Sequence, residues 1–254
     1  LFTENGKPLA YPGKEALLQT LKGINRTTSG VFVPISSAAF SPLNTYYALY
    51  ISAKNHCKVH FNESVLKKEL LNYISAPQKH SFEENYYALM SLKALGYKSE
   101  YRLENYIVSV KTFSKMNISE IYFFTLLTKA LHYTMPQNTA NDIKSAIYEE
   151  FKFAENSEVE PSVEAYLSLR NIGISSKRFK TEIQSKLKER KYRDIRSLYY
   201  AYLFAKSTSN KNLIARCRSD LSAFKTHCPE LYSMYPGEVP CLTATYYACK
   251  IKGR

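Results

Sequence analysis

The chain has 254 residues, enough for one large domain or two small ones, and its 45% hydrophobic and 22% charged content excludes wholesale disorder. It holds only 8 glycines, shows no alternating apolar runs and has no stretch near the roughly 18 apolar residues of a membrane span, so the expectation is an all-α protein with no membrane span in this chain. The net charge of +13 points either to an acidic partner (nucleic acid, an anionic surface, a diphosphate or an acidic protein) or to a solvated basic surface.

Residues 1–40 read as a leader. The chain opens LFTENG, without Met and without a charged-then-apolar signal, which predicts a processed chain or an excised domain. KEALLQTLKGI (14–24) is a short amphipathic helix, and NRTTSGVFVPISSAAFSP is a loop or short extended segment that leads into a repeated region, 41–254.

That region is dominated by an unusual aromatic content, 22 Tyr and 13 Phe with no Trp. The strings NTYYALYISAK, ENYYALMSLKALG, IYFFTLLTKALH, SVEAYLSLRNIG, SLYYAYLFAKS and ATYYACKIKG align on Ala48, Ala88, Thr125, Ala165, Ala201 and Ala248, spaced by 40, 37, 40, 36 and 47 residues. This is the period of a helical repeat. Between the strings lie charged, amphipathic segments at 64–75, 102–113, 140–154, 178–191 and 212–225. A helix apolar on most sides must be buried on most sides, whereas an amphipathic one can face water. The sequence therefore predicts an inner ring of Tyr-rich helices wrapped by an outer ring, an α/α toroid of about six helical hairpins. The small residue lets neighbouring inner helices approach. Pro42, Pro136, Pro161 and Pro240 mark helix starts or connections, and Gly96, Gly173 and Gly253 mark helix ends.

Candidate sites are few. Tyr46, Tyr86, Phe123, Tyr199 and Tyr246 either line a central cavity for an apolar ligand or fill the core. The run from Lys177 to Arg196 is either a solvated helix face or a basic rim in which Lys188, Lys191 and Arg196 hold a diphosphate or an acidic protein segment. No nucleic-acid motif accompanies the charge, so nucleic acid is not expected. Three N-x-S/T sites, at Asn25, Asn62 and Asn117, are glycosylation candidates that hint at a secretory route. Five cysteines show no metal-site spacing; Cys228 and Cys241 could bridge the loop between them in an oxidising compartment, and otherwise all five are reduced thiols. His56 and His60 have metal-compatible i, i+4 spacing but lack an accompanying Glu, and His56 reads better as the close of the first helix. Neither a cofactor nor a metal is expected.

On its repeated aromatic strings, the region 41–254 resembles the α/α toroids of the terpenoid cyclase and protein prenyltransferase superfamily. That resemblance implies chemistry which the residues do not supply. There is no D-x-D-D acid of a class II cyclase, no Gln-Trp repeat, and no Cys with a Gln three residues away to form a thioester. Prenyltransferase β subunits carry a string like R-x-x-K-x-x-D-x-C-Y-S. Here Lys188, Lys191, Asp194 and Ser197 match, but Arg196 stands at the zinc-ligand cysteine, and Thr243-Ala244-Thr245-Tyr246 lacks the ligand histidine. The leader and first repeat, VFVPISSAAFSPLNTYYAL (31–49), look more like the luminal domain of the ribophorin II family, subunits of oligosaccharyltransferase. That resemblance implies a non-catalytic interaction domain among protein subunits in the endoplasmic reticulum lumen. The alternative is an isoprenoid-diphosphate-binding toroid with degenerate catalytic motifs, in the cytoplasm.

Overall fold

The structure, a computed structural model, describes residues 40–56, 61–97, 101–153, 159–188, 191–228 and 230–253. The leader helix expected at 14–24, Asn25, Cys57 and His60 lie outside these residues. The described chain is all-helical, with no β-strand beyond two isolated bridges in the loop after residue 224.

Eleven α-helices follow one another among the described residues: α1 (Pro42–Lys54), α2 (Glu63–Ser75), α3 (Phe82–Ala94), α4 (Tyr101–Ser109), α5 (Ile118–Ala130), α6 (Gln137–Phe153), α7 (Val159–Asn171), α8 (Lys177–Leu187), α9 (Ile195–Ser207), α10 (Lys211–Asp220) and α11 (Leu242–Lys252). The odd-numbered helices carry the six aligned aromatic strings. Their marker residues Ala48, Ala88, Thr125, Ala165, Ala201 and Ala248 are all at 0% exposure. Thr125 is accommodated because its hydroxyl donates to the Tyr122 carbonyl (2.9 Å) and accepts from Asn171 Nδ2 (3.3 Å).

The even-numbered helices bury one stripe each: Leu66, Leu70 and Ile74 in α2, Ala140, Ile143 and Ile147 in α6, and Phe179, Ile183 and Leu187 in α8. Three of these helices stop short of their predicted ends: α8 ends at Leu187 against 191, and α4 and α10 end at Ser109 and Asp220. Past Ser109, Phe113 leaves the helical path to pack edge-on against Phe124 (5.1 Å between centroids), and tertiary burial outweighs the weak helix preference of Val110 and Thr112. Past Asp220 the chain tightens into a 3₁₀ turn, Leu221–Phe224, which buries Leu221 and Phe224.

Local signals set the helix ends. Ser41 caps α1 ahead of Pro42; Ser81 with Glu84, and Asn117 with Glu120, form reciprocal capping boxes on α3 and α5. Every odd-numbered helix is followed by a residue with positive φ: His56, Gly96, His132, Gly173, Ser209 and Gly253. Each also carries a cation in its last turn, at Lys54, Lys93, Lys129, Arg170, Lys206 and Lys250, where the helix dipole favours positive charge. Lys93 Nζ donates to the Ala130 carbonyl at the end of α5, and Lys129 Nζ to Asn171 Oδ1 at the end of α7.

Two compact units share the chain. The first holds α1, α2 as far as Glu69, residues Tyr192–Tyr202 and the chain from Lys211 onward. In it α11 packs on α1, so the first and last repeats are neighbours. The second holds Leu70–Lys191 and Leu203–Asn210, with α3 on α5 and α5 on α7, and with α6 and α8 against the preceding odd-numbered helix.

Candidate functional site

The aromatic positions meet one another. In the first unit Tyr47 stacks on Tyr246 (3.9 Å, 16°) and Tyr199 on Tyr247 (4.6 Å, 16°), while Tyr46 meets Tyr246 edge-on at 5.9 Å. In the second, Tyr86 lies 6.0 Å from Phe123 and Tyr87 5.8 Å. Tyr46, Phe123 and Tyr246 are buried; Tyr86 and Tyr199 are half-buried. Burial pushes the Tyr86 hydroxyl up to about 12. Tyr50, one turn after Tyr46, is also pushed up to about 12, by burial first and then by Tyr46, Cys249 and Tyr202. Lys250 Nζ sits 4.1 Å from the Tyr50 ring centroid and 5.4 Å from that of Tyr246, within cation–π range. The sequence pointed to the aromatic rows but not to this lysine, which ends the last of them.

The basic segment is laid along α8 and the approach to α9. With Phe179, Ile183 and Leu187 turned inward, Lys177, Arg178, Lys180, Lys188, Lys191, Arg193 and Arg196 are all exposed. Lys188 and Lys191 belong to the second unit and Arg196 to the first. Lys186 is the exception, held 2.9 Å from Glu182 Oε1 and 3.3 Å from Ser162 Oγ. Asp194, aligned above with a zinc ligand, caps α9: its Oδ1 accepts from Ser197 N at 2.7 Å and its Oδ2 from Ser197 Oγ at 2.9 Å. Among the described residues no three His, Cys, Asp or Glu side chains gather where they could hold a metal ion.

Asn62 and Asn117 are exposed and both lie at helix starts. Asn62 Oδ1 accepts from Ser64 Oγ (2.7 Å) and Val65 N (3.2 Å), and Asn117 Oδ1 from Glu120 N (2.9 Å). Cys228 and Cys241 are not bridged to each other in this structure; Cys241 Sγ accepts from Ala244 N at 3.4 Å and so caps α11. His56, with φ of 52°, follows the last turn of α1. No described helix is long and apolar enough to cross a membrane.

No family model matches this chain, and no curated protein or solved structure matches it either.

Proposed function

We propose that this chain is a non-catalytic scaffold domain of a larger assembly, of the ribophorin II kind, which docks an acidic protein segment on the exposed cations Lys188, Lys191 and Arg196. The observation that carries the reading is the division of labour between helix faces. The aromatic rows are taken up in ring-to-ring packing, as in the 3.9 Å Tyr47–Tyr246 stack, while seven cations of one continuous segment stand exposed. Rigid packing of this kind suits a platform better than a chamber. In this proposal the inner helices close into an α/α toroid. Two features support closure: the contact between α1 and α11, and the burial of all six small marker residues.

The test is the state of the protein in its source. The expected result is co-fractionation with partner subunits, lost on K188Q/K191Q/R196Q and weakened by high salt in the wild type. Elution alone at its own mass would end the scaffold reading. The secretory location is tested by intact mass, with S64A and S119A removing two of the three sugar sites while Asn62 and Asn117 keep their capping roles, and N25Q removing the third. The alternative diphosphate reading is favoured instead if lipid diphosphate binds saturably and K188Q/K191Q abolishes it.

A further inference from the structure

A cavity of about 430 Å³ opens at the turn from α7 into α8. Its walls are built by ordinary helix-end chemistry. Gly173, with φ of +78°, turns the chain out of α7 so that its amide reaches the Arg170 carbonyl (3.1 Å) and that of Ile174 the Leu169 carbonyl (2.8 Å). Three residues on, Ser176 starts α8 by accepting from Phe179 N at 3.4 Å. The last turn of α7 and the first turn of α8 thus face one hollow, lined by Tyr166, Arg170, Ser175, Ser176, Lys177 and Lys180 among others, with no acidic residue.

Three properties of these walls are unexplained by the fold. The first is the placement of charge. Lys177 and Lys180 crowd the start of α8, the end whose dipole repels cations, and its first turn holds no acid to offset them. The second is Arg170. The last-turn cations of the two preceding repeats, Lys93 and Lys129, each donate to the next odd-numbered helix, whereas Arg170 lines the cavity and makes no such bond among the described residues. Neither it, Lys177 nor Lys180 forms an ion pair there. The third is Tyr166, at 6% exposure, whose ring packs edge-on to Phe204 (5.2 Å) while its hydroxyl has no hydrogen-bond partner among the described residues. The hydroxyl is not one of the fully enclosed unpaired polar atoms, so it keeps access from outside the core, and Tyr166 lines the cavity.

We propose that the α7–α8 cavity binds a phosphate monoester, its phosphoryl oxygens held by Arg170, Lys177 and Lys180, by the Tyr166 hydroxyl and by the first amides of α8. A phosphate dianion offers three acceptor oxygens and up to two negative charges, which suits three cations and a lone hydroxyl donor better than a carboxylate does. The volume exceeds that of a phosphate ion and lies in the range of small-ligand pockets, so it leaves room for an organic body. The site is separate from Lys188, Lys191 and Arg196 and stands whether or not those residues dock a partner. Its phosphoryl group could come from a soluble metabolite or from a lipid headgroup.

Calorimetric titration of the 254-residue chain tests this, with glycerol 3-phosphate as probe, glycerol as control, and phosphatidylcholine vesicles with and without phosphatidic acid as the lipid arm. Saturable one-to-one binding of glycerol 3-phosphate and none of glycerol is expected. Arg170, Lys177 and Lys180 are exposed, so K177Q/K180Q should leave thermal unfolding unchanged while weakening binding at least about tenfold. Y166F keeps the ring and the net charge and should weaken it about threefold to tenfold. K188Q/K191Q should leave it unchanged. Binding of the phosphatidic-acid vesicles alone would support the site with a lipid as its source. Absence of binding in both arms, or binding that Y166F does not alter and that K188Q/K191Q weakens as much as K177Q/K180Q, would overturn it in favour of diffuse surface charge.

Discussion

Tyr47 of α1 and Tyr246 of α11 stack face to face at 3.9 Å, joining the first aromatic helix of the chain to the last. The neighbouring Tyr199–Tyr247 stack, also tilted by only 16°, brings α9 into the same layer. Tyr47 is 2% exposed, so its truncation removes a full aromatic side chain from a packed layer. Tyr47→Ala should cost about 3–5 kcal/mol of unfolding free energy, read from urea denaturation. Tyr47→Phe keeps the stack and should cost no more than about 1 kcal/mol. A small loss for the alanine variant would mean that the two helices do not depend on each other.

The six left-handed residues after the odd-numbered helices set a second prediction. Glycine adopts φ near +60° freely, and Gly96, Gly173 and Gly253 do so here. His132 and Ser209 hold φ of 55° with a Cβ in place, which is strained by about 1 kcal/mol each. His132→Gly and Ser209→Gly should each raise the melting temperature, corresponding to about 0.5–1 kcal/mol, and the pair should add. Gly173→Ala should go the other way: nothing lies within 4 Å of its added Cβ, so the loss would report backbone strain alone.

That series shows what the sequence made legible. The aromatic strings placed all six odd-numbered helices because a helix buried on most sides needs apolar residues on most sides, and that demand is written into composition. Glycine marked three of the helix ends for the same local reason. Ser209 and His132 do the same task with no compositional signal, since either residue is ordinary in a loop. Asp194 matches one position of a metal-ligand string whose other ligands are lacking, so no metal is expected there, but the cap that it forms on α9 is not read from the sequence either. The α7–α8 cavity left no trace as a motif, because it depends on where two helix ends meet and not on spacing along the chain.

The capping role of Asp194 is separable from its charge. Its Oδ1 accepts the Ser197 amide at 2.7 Å, and an Asn side chain offers the same acceptor. Asp194→Ala should destabilise by about 1 kcal/mol, while Asp194→Asn should remain within about 0.5 kcal/mol of the parent in chemical denaturation. Equal losses in both variants would show that the carboxylate charge, and not the cap, is what α9 requires.

Alkaline pH gives the last prediction. Burial raises the Cys217 thiol from 9.0 to about 11, and the Tyr50 and Tyr86 hydroxyls from 10.0 to about 12. In each case the fold favours the neutral, protonated form. Below pH 9 folded and unfolded chains are both protonated at these groups, and their stabilising effect is fully present. From pH 9 upward the unfolded chain releases the Cys217 proton while the folded chain retains it, and from pH 10 the tyrosines follow, so stability falls as pH rises. The melting temperature should therefore stay level up to about pH 9 and then decline, with tyrosinate absorbance from Tyr50 and Tyr86 rising together with loss of helical circular dichroism. Cys217→Ala should lower stability at neutral pH through the lost packing and flatten the earliest part of the decline. A slope that begins at the same pH in that variant would assign the early loss to other groups, Cys241 among them, whose thiol burial also pushes up.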